Sequence, residues 1–275
     1  MDGDAPARPK ITPRSPGFDF EGLPRYWFAD NPVRTHIANG ADLLFPSGER
    51  FFVRSVRHYL PQLDDAALRD QVQGFCAQEA RHGAAHQRQF ETLRAQGYAP
   101  DRFLRAYEWV AWRVLEPAFS PAMRLSVTVA LEHYTAIMAE GALAYGALDG
   151  AHPKMEALLK WHACEEIEHK SVAFDVLAKV APSYALRMAG MALATAGLAT
   201  FWAAATATLL WQDRAAGRTF TRRHLREAKQ RDRSIVTDVF VAGMRRYARR
   251  DFHPGQHDDA HLARAYLAGV GLAVV

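Results

Sequence analysis

Apolar residues recur with a helical period along most of this chain, and the pattern becomes continuous from Ser47 onward. In "PSGERFFVRSVRHYL", Phe52, Val56 and Leu60 share one helical face, and Ser47 stands where an N-cap is expected. No segment carries the sequence pattern of a β-hairpin. Helices are predicted over about 47–60, 65–95, 103–116 (ending before a proline), 121–145 and 153–180. The pattern therefore predicts an all-α bundle.

Three regions differ in composition and suggest a division of the chain. Residues 1–45 are rich in proline and are predicted to be a mostly irregular N-terminal arm, of which residues 1–20 are expected to be flexible. Residues 46–182 hold the periodic helices and are predicted to form the bundle. Residues 183–275 add an apolar helix and basic C-terminal helices, which we expect to pack on the bundle or on a partner.

The segment 188–211, "MAGMALATAGLATFWAAATATLLW", contains no charged residue. Its length would suffice to cross a bilayer, and basic residues flank it on both sides. Its alanine, glycine and threonine also favour close helix packing, so a buried or dimer-forming helix is the alternative. Membrane association through 188–211 and a homodimer both stay open at this point, while the basic run that follows predicts a solvated face and no nucleic-acid partner.

Composition places few limits on function. The 275 residues are 49% hydrophobic and 23% charged, with a net charge of +4, which is ordinary for a globular protein. Cys76 and Cys164 show no CxxC spacing and suggest no disulfide framework. A reducing, cytoplasmic location is therefore expected.

Four glutamates occupy positions on the apolar stripes of four different predicted helices. They are Glu49, Glu79, Glu132 and Glu166. Two of them are followed one turn later by a histidine, as Glu79-x-x-His82 and Glu166-x-x-His169. Burying four carboxylates without partners would be very costly, and cations would remove that cost. Glu49 lies near a helix start, where a favourable interaction with the helix dipole is an alternative explanation.

The order E, ExxH, E, ExxH matches the ligand pattern of di-iron carboxylate bundles. The chain resembles the ferritin-like superfamily in this pattern. In "QEARH", "HACEEIEHKSVAFDV" and "YARRDFHPGQ" it resembles the bacterial family of predicted metal-dependent hydrolases, from about residue 30 to 260. The resemblance implies a ferritin-like four-helix bundle core with additional C-terminal helices.

His162 lies four residues before Glu166, on the same helical face. The resulting string, His-x-x-x-Glu-x-x-His, resembles the ligand set of di-iron arylamine N-oxygenases. The resemblance implies two iron ions, with manganese as an alternative, and no catalytic residue beyond the ligands. The implied ligands are Glu49, Glu79, His82, Glu132, His162, Glu166 and His169. An orienting or core role for His162 is the alternative.

Neighbouring polar residues are expected to contribute less. His86 is predicted to pack in the surface or a pocket, or to support a ligand, and His133 points about 100° away from the ligand face. Glu165 and Glu168 are predicted to face solvent or to pair with basic residues, and Asp175 could hold a ligand histidine. Six aromatic residues are mostly expected in the core, although they could line a pocket: Phe75, Tyr107, Trp109, Trp112, Tyr134 and Trp161.

Three functions remain open from the sequence. The leading hypothesis is a di-iron oxidase or oxygenase that activates dioxygen on a small organic substrate, suggested by His162. The second is a two-metal hydrolase. The third is a non-catalytic metal-binding protein.

Overall fold

The structure, a computed structural model, describes residues 10–273, with no description of the side chains of residues 230–236. Its regular elements within that range are helical, which confirms the predicted all-α fold. The α-helices are α1 (Pro32–Asp42), α2 (Phe45–Arg57), α3 (Ala66–Ala95), α4 (Pro100–Trp109), α5 (Glu116–Ala118), α6 (Pro121–Ala144), α7 (Pro153–His169), α8 (Val172–Val180), α9 (Tyr184–Ala215), α10 (Arg222–Ile235), α11 (Ala242–Tyr247) and α12 (Ala260–Gly269). Segments Val110–Leu115 and Val236–Val241 are π-helical, and Leu60–Gln62 and Pro254–Gln256 are 3₁₀ turns.

The core forms where α2, α3, α6 and the successive helices α7 and α8 pack together. Val56, Phe75, Leu125 and Val176 are completely buried in the largest apolar cluster. Local signals set where the long helices begin. The Asp65 side chain caps α3, while Ser120 caps α6 and is followed by a proline at the first helical position. The four elements that carry the candidate ligands therefore face one another.

The start of α2 differs from the prediction. The helix begins at Phe45, two residues before Ser47, and its N-terminus has no side-chain cap. The Ser47 hydroxyl instead donates to Glu108 Oε1 at 2.6 Å. The prediction that Ser47 caps this helix is therefore wrong, because the Ser47 hydroxyl is bonded to the carboxylate of Glu108 in α4.

Two predicted helix ends are also wrong. The helix expected to stop before Pro117 continues through the π-helical segment into α5, since a proline at the start of α5 needs no intrahelical N–H bond. The helix expected over 153–180 is interrupted after His169 and resumes at Val172. The interruption falls directly after the last candidate ligand.

The N-terminal segment is irregular but not loose. Residues 10–31 contain no helix, yet Phe20, Leu23 and Trp27 are buried against Met155 and Trp161. The expectation of a flexible segment over residues 1–20 is therefore wrong for residues 10–20, where Ile11, Arg14 and Phe20 are buried. The helix α1 within 1–45 was not predicted. Residues 1–9 of the arm and residues 274–275 lie outside the described part of the chain.

The predicted apolar segment lies inside α9, which packs along α6 and α1. Helix α9 is long and apolar enough to cross a membrane by length and composition, a test that core helices of soluble proteins also pass. Only 17% of its most apolar window is buried. The proposed division at residues 45 and 182 stays a prediction.

Candidate metal centre

Four buried carboxylates converge at the middle of the core. Glu49, Glu79, Glu132 and Glu166 come from α2, α3, α6 and α7, and none is more than 3% exposed. Both carboxylate oxygens of the first three, and Oε2 of Glu166, lack a hydrogen-bond partner. Buried carboxylates without such partners are very unfavourable, so the residues present fit a cation.

Three imidazoles approach these carboxylates. His169 Nε2 lies 3.0 Å from Glu79 Oε1 and 3.5 Å from Glu166 Oε2. His82 Nδ1 lies 3.6 Å from Glu166 Oε1. His162 Nε2 lies 2.8 Å from the same oxygen. Ligand atoms that bind one ion at about 2.0–2.2 Å lie roughly 3–3.5 Å apart, so these spacings suit coordination.

The candidate ligand atoms form overlapping groups, within each of which they lie at most 4.8 Å apart. One group consists of Glu79, Glu132, Glu166 and His169. A second consists of Glu49, Glu79 and His82, and a third of His82, His162 and Glu166. All seven residues predicted from the sequence are thus brought together. A fourth group consists of Glu49, His86 and His162, so five of the seven belong to two groups: Glu49, Glu79, His82, His162 and Glu166.

The pKa values of the four carboxylates indicate that the centre needs added positive charge. Burial and the neighbouring carboxylates raise the pKa of Glu49 well above its ordinary value, and burial also raises the pKa of Glu79 and Glu132. Burial opposes ionisation of Glu166 as well, but the charge of His169 lowers its pKa. Four ionised carboxylates are not stable here without added positive charge. Two divalent ions would balance that charge.

Outside the carboxylates, Gln78 fixes the orientation of His169. Its Oε1 accepts a 2.8 Å hydrogen bond from His169 Nδ1, while its amide donates to Glu168 Oε2 at 2.9 Å. This arrangement places the proton of His169 on Nδ1 and leaves Nε2 facing the carboxylates.

Glu165 performs the same task for His82. Its Oε2 lies 3.0 Å from His82 Nε2, and its Oε1 accepts hydrogen bonds from the backbone and side chain of Arg14 at 3.0 and 3.1 Å. Glu165 is completely buried, so the expectation that it faces solvent is wrong, whereas its pairing with a basic residue is confirmed. Burial raises its pKa to about 7, against the effect of Arg14. Arg14 also binds Glu168.

His162 is held by a third chain of buried groups. His162 Nδ1 lies 2.7 Å from His86 Nε2, and His86 Nδ1 bonds to the carboxylate of Asp42. His86 is therefore not a surface residue: it supports a candidate ligand, which was the alternative considered from the sequence. Neither His86 nor Asp42 is more than 1% exposed.

Two further candidates lie away from the centre. His133 donates to the carbonyl of Gly243 at 2.9 Å, in agreement with the prediction that it is not a ligand. Asp175 lies 2.8 Å from Nε2 of His253, which is not one of the candidate ligands.

An apolar cavity of about 480 Å³ adjoins the centre, between α2, α6, α9 and the segment from α4 to α5. Phe45 lines it, and the same ring lies 4.8 Å from the ring of His162. Of the six aromatic residues singled out from the sequence, Tyr107, Trp112 and Tyr134 line the cavity, Phe75 and Trp161 are core, and Trp109 is exposed.

Comparison with known proteins now places the chain. The sequence profile of the family described as predicted metal-dependent hydrolase matches residues 12–258, nearly the whole chain. The chain belongs to this family. No curated protein and no solved structure matches it, so the likeness to ferritin-like proteins and to arylamine N-oxygenases stays a prediction. The family description names a metal dependence, which the buried glutamate and histidine groups fit.

Proposed function

We propose that this protein is a metal-dependent hydrolase that acts on a small organic substrate at a two-metal centre. The observation that carries the proposal is the convergence of seven buried side chains whose carboxylate oxygens mostly lack hydrogen bonds. Hydrolysis is the reaction that the family description names. Two divalent ions, when bound, would supply Lewis acidity and would activate a water molecule at neutral pH.

The protein's own residues would prepare that chemistry. The four glutamates would balance the charge of the ions. Gln78 and Glu165 keep His169 and His82 in the orientation in which they would bind a metal ion. The cavity beside Phe45 offers an apolar environment in which a substrate is bound and bulk water is displaced.

A second candidate function is the oxidation of a small substrate by dioxygen at a di-iron centre. His162 favours it, because a third imidazole at 2.8 Å from Glu166 makes the donor set richer in nitrogen. Imidazole and carboxylate ligands suit iron as well as zinc and manganese.

Anaerobic loading separates the two candidates. The full chain is loaded with zinc, manganese or iron(II) without oxygen and is assayed with p-nitrophenyl esters and phosphate esters. The hydrolase proposal predicts turnover with zinc or manganese, abolished in Glu79→Gln and retained in Glu91→Gln, an exposed glutamate of the same helix.

The other outcomes are equally informative. Turnover absent in every anaerobic form, with dioxygen consumed by the iron(II) protein, would overturn hydrolysis in favour of oxidation. Two bound ions with neither reaction would support the non-catalytic alternative.

A further inference from the structure

The lining of the apolar cavity runs along both α2 and α6. On α6 its lining residues extend from Arg124 to Met138, fourteen residues or about 21 Å of helix. Its volume of about 480 Å³ lies within the usual range of small-molecule sites, roughly 300–1,000 Å³. The cavity is therefore shaped for an extended ligand.

One end of the cavity is charged. Among the described residues that line it, Glu116 and Arg124 alone carry charge. Glu116 Oε1 lies 2.9 Å from the guanidinium of Arg54 and 3.5 Å from that of Arg124. Arg54 does not line the cavity and its side chain is 61% exposed, but together with Arg124 it places two positive charges against one carboxylate, so this end suits an anionic group.

The metal centre borders the body of the cavity and not its charged end. Phe45, whose ring contacts His162, precedes Arg54 by nine residues on α2, which is about 13 Å along the helix. Glu132 follows Arg124 by eight residues, about 12 Å along α6. A ligand with its acid group at Arg124 would place its apolar body beside the candidate ligands.

We propose that the cavity binds a single-chain anionic amphiphile, with its acid group at Arg124 and its hydrocarbon chain beside the metal centre. Two observations argue for this ligand: the charge at one end and the apolar lining of the remainder, which includes Phe51, Val127 and Leu198. The assignment of this ligand as the substrate rests on the proposed function. Its hydrolysable bond, an ester or amide that interrupts the chain, would then lie beside the metal centre and away from the acid group.

Cavity-filling at Gly197 tests the apolar body. This glycine lines the cavity, and a Cβ built on it meets no atom within 4 Å, so Gly197→Leu projects into open space without backbone strain. Ala203→Leu adds the same bulk to an exposed position of the same helix that does not line the cavity. We expect dodecanoate, titrated calorimetrically into the full-length protein, to bind at one site. Gly197→Leu should weaken it at least tenfold and Ala203→Leu less than twofold.

Removal of the charge at the other end is an independent test. Arg124→Gln should weaken dodecanoate about tenfold and leave dodecanol unchanged, because only the acid needs the guanidinium. Arg102→Gln, at an exposed arginine of α4, should change neither.

Three binding results would overturn the proposal. They are the absence of dodecanoate binding, binding that neither Gly197→Leu nor Arg124→Gln weakens, and tighter binding of the compact 2-naphthoate than of dodecanoate. A dimer in light scattering that only Gly197→Leu dissociates would show that a second copy covers the cavity, and would also overturn it. Ligand binding is measured without turnover, and metal content is measured separately. Failure of the binding tests therefore leaves the proposed hydrolase standing, and failure of the hydrolase assays leaves the binding proposal standing.

Discussion

His169 can offer only one nitrogen to the centre, because Gln78 holds the other at 2.8 Å. His82 is restricted in the same way by Glu165, at 3.0 Å. An imidazole whose second nitrogen is fixed keeps one tautomer and one ring orientation, which reduces the entropy lost when an ion binds. The residues next to the ligands therefore set the affinity of the centre.

Replacement of Gln78 tests this effect at a single residue. Gln78→Ala removes the acceptor of the His169 Nδ1 proton, so affinity for manganese should fall about tenfold to a hundredfold. The measurement is a titration of the full-length protein with manganese. Gln73→Ala, at an exposed position of the same helix, should keep the affinity of the parent protein. Equal affinity of the two variants would show that Gln78 does not orient a ligand.

The sequence predicted the candidate ligands but not most of the residues that hold them. Helical spacing places Glu79 and His82 on one face of α3, and Glu166 and His169 on one face of α7, so their convergence could be anticipated. Arg14 reaches Glu165 across 151 residues, from an irregular segment that has no periodic pattern. Only the adjacency of Gln78 to Glu79, and of Glu165 to Glu166, could have suggested a supporting role.

Helix α9 is placed by two kinds of contact, close packing and a buried acid. Gly190 lies against α6, where an added Cβ would approach the carbonyl carbon of Ser126 to 2.6 Å. Gly197, two turns later, faces open space. Within one helix, an added side chain would therefore clash at Gly190 and would not clash at Gly197.

A pair of alanine substitutions measures this difference. Gly190→Ala should lower the free energy of unfolding by about 1–3 kcal/mol, because the helix backbones must separate. Gly197→Ala should raise it by about 0.5–1 kcal/mol, since alanine favours the helix and meets nothing. Urea unfolding followed by circular dichroism gives both values. A stabilising Gly190→Ala would contradict the close packing of α9 on α6.

The buried acid is Asp213 near the end of α9. Its oxygens bond to His36 at 2.6 Å, Tyr98 at 2.7 Å, Arg218 at 2.8 Å and Tyr26 at 3.1 Å. Burial acts to raise its pKa, but the hydrogen bonds from Arg218, His36 and Tyr98 lower it below the ordinary value of 3.8. Its stabilising effect is therefore present above about pH 4 and is lost as the pH falls through the lowered pKa.

Asp213→Ala should lower the free energy of unfolding at pH 7 by about 3 kcal/mol, because four partners lose their acceptor. The variant should also lose less stability than the parent protein between pH 4 and pH 2. Asp70→Ala, at an exposed aspartate of α3, provides the control. A loss in Asp213→Ala no larger than in Asp70→Ala would show that this acid does not hold α9.

At this scale, periodicity predicted the helices better than their interruptions. The bounds of α3 and α6 agree with the sequence to within one residue. The π-helical segment at 110–115 and the interruption after His169 depend on packing between helices, which a linear pattern does not contain. The helix α1 was not predicted because the many prolines of residues 1–45 indicated an irregular segment.

The whole molecule is organised around a concentration of buried negative charge. Four carboxylates from four helices lie within one core, and three imidazoles do not supply enough positive charge for all of them. Two divalent ions would balance the charge and would tie α2, α3, α6 and α7 together. The central claim is therefore the presence of two ions on these ligands.

Metal content per chain tests that claim most directly. Full-length protein saturated anaerobically with iron(II) or manganese, desalted and measured by mass spectrometry, should hold two ions per chain. Glu132→Gln should hold one, because Glu132 belongs to a single group of ligands, and Glu91→Gln should hold two. Fewer than two ions per chain in the parent protein, or two ions retained by Glu132→Gln, would contradict the account.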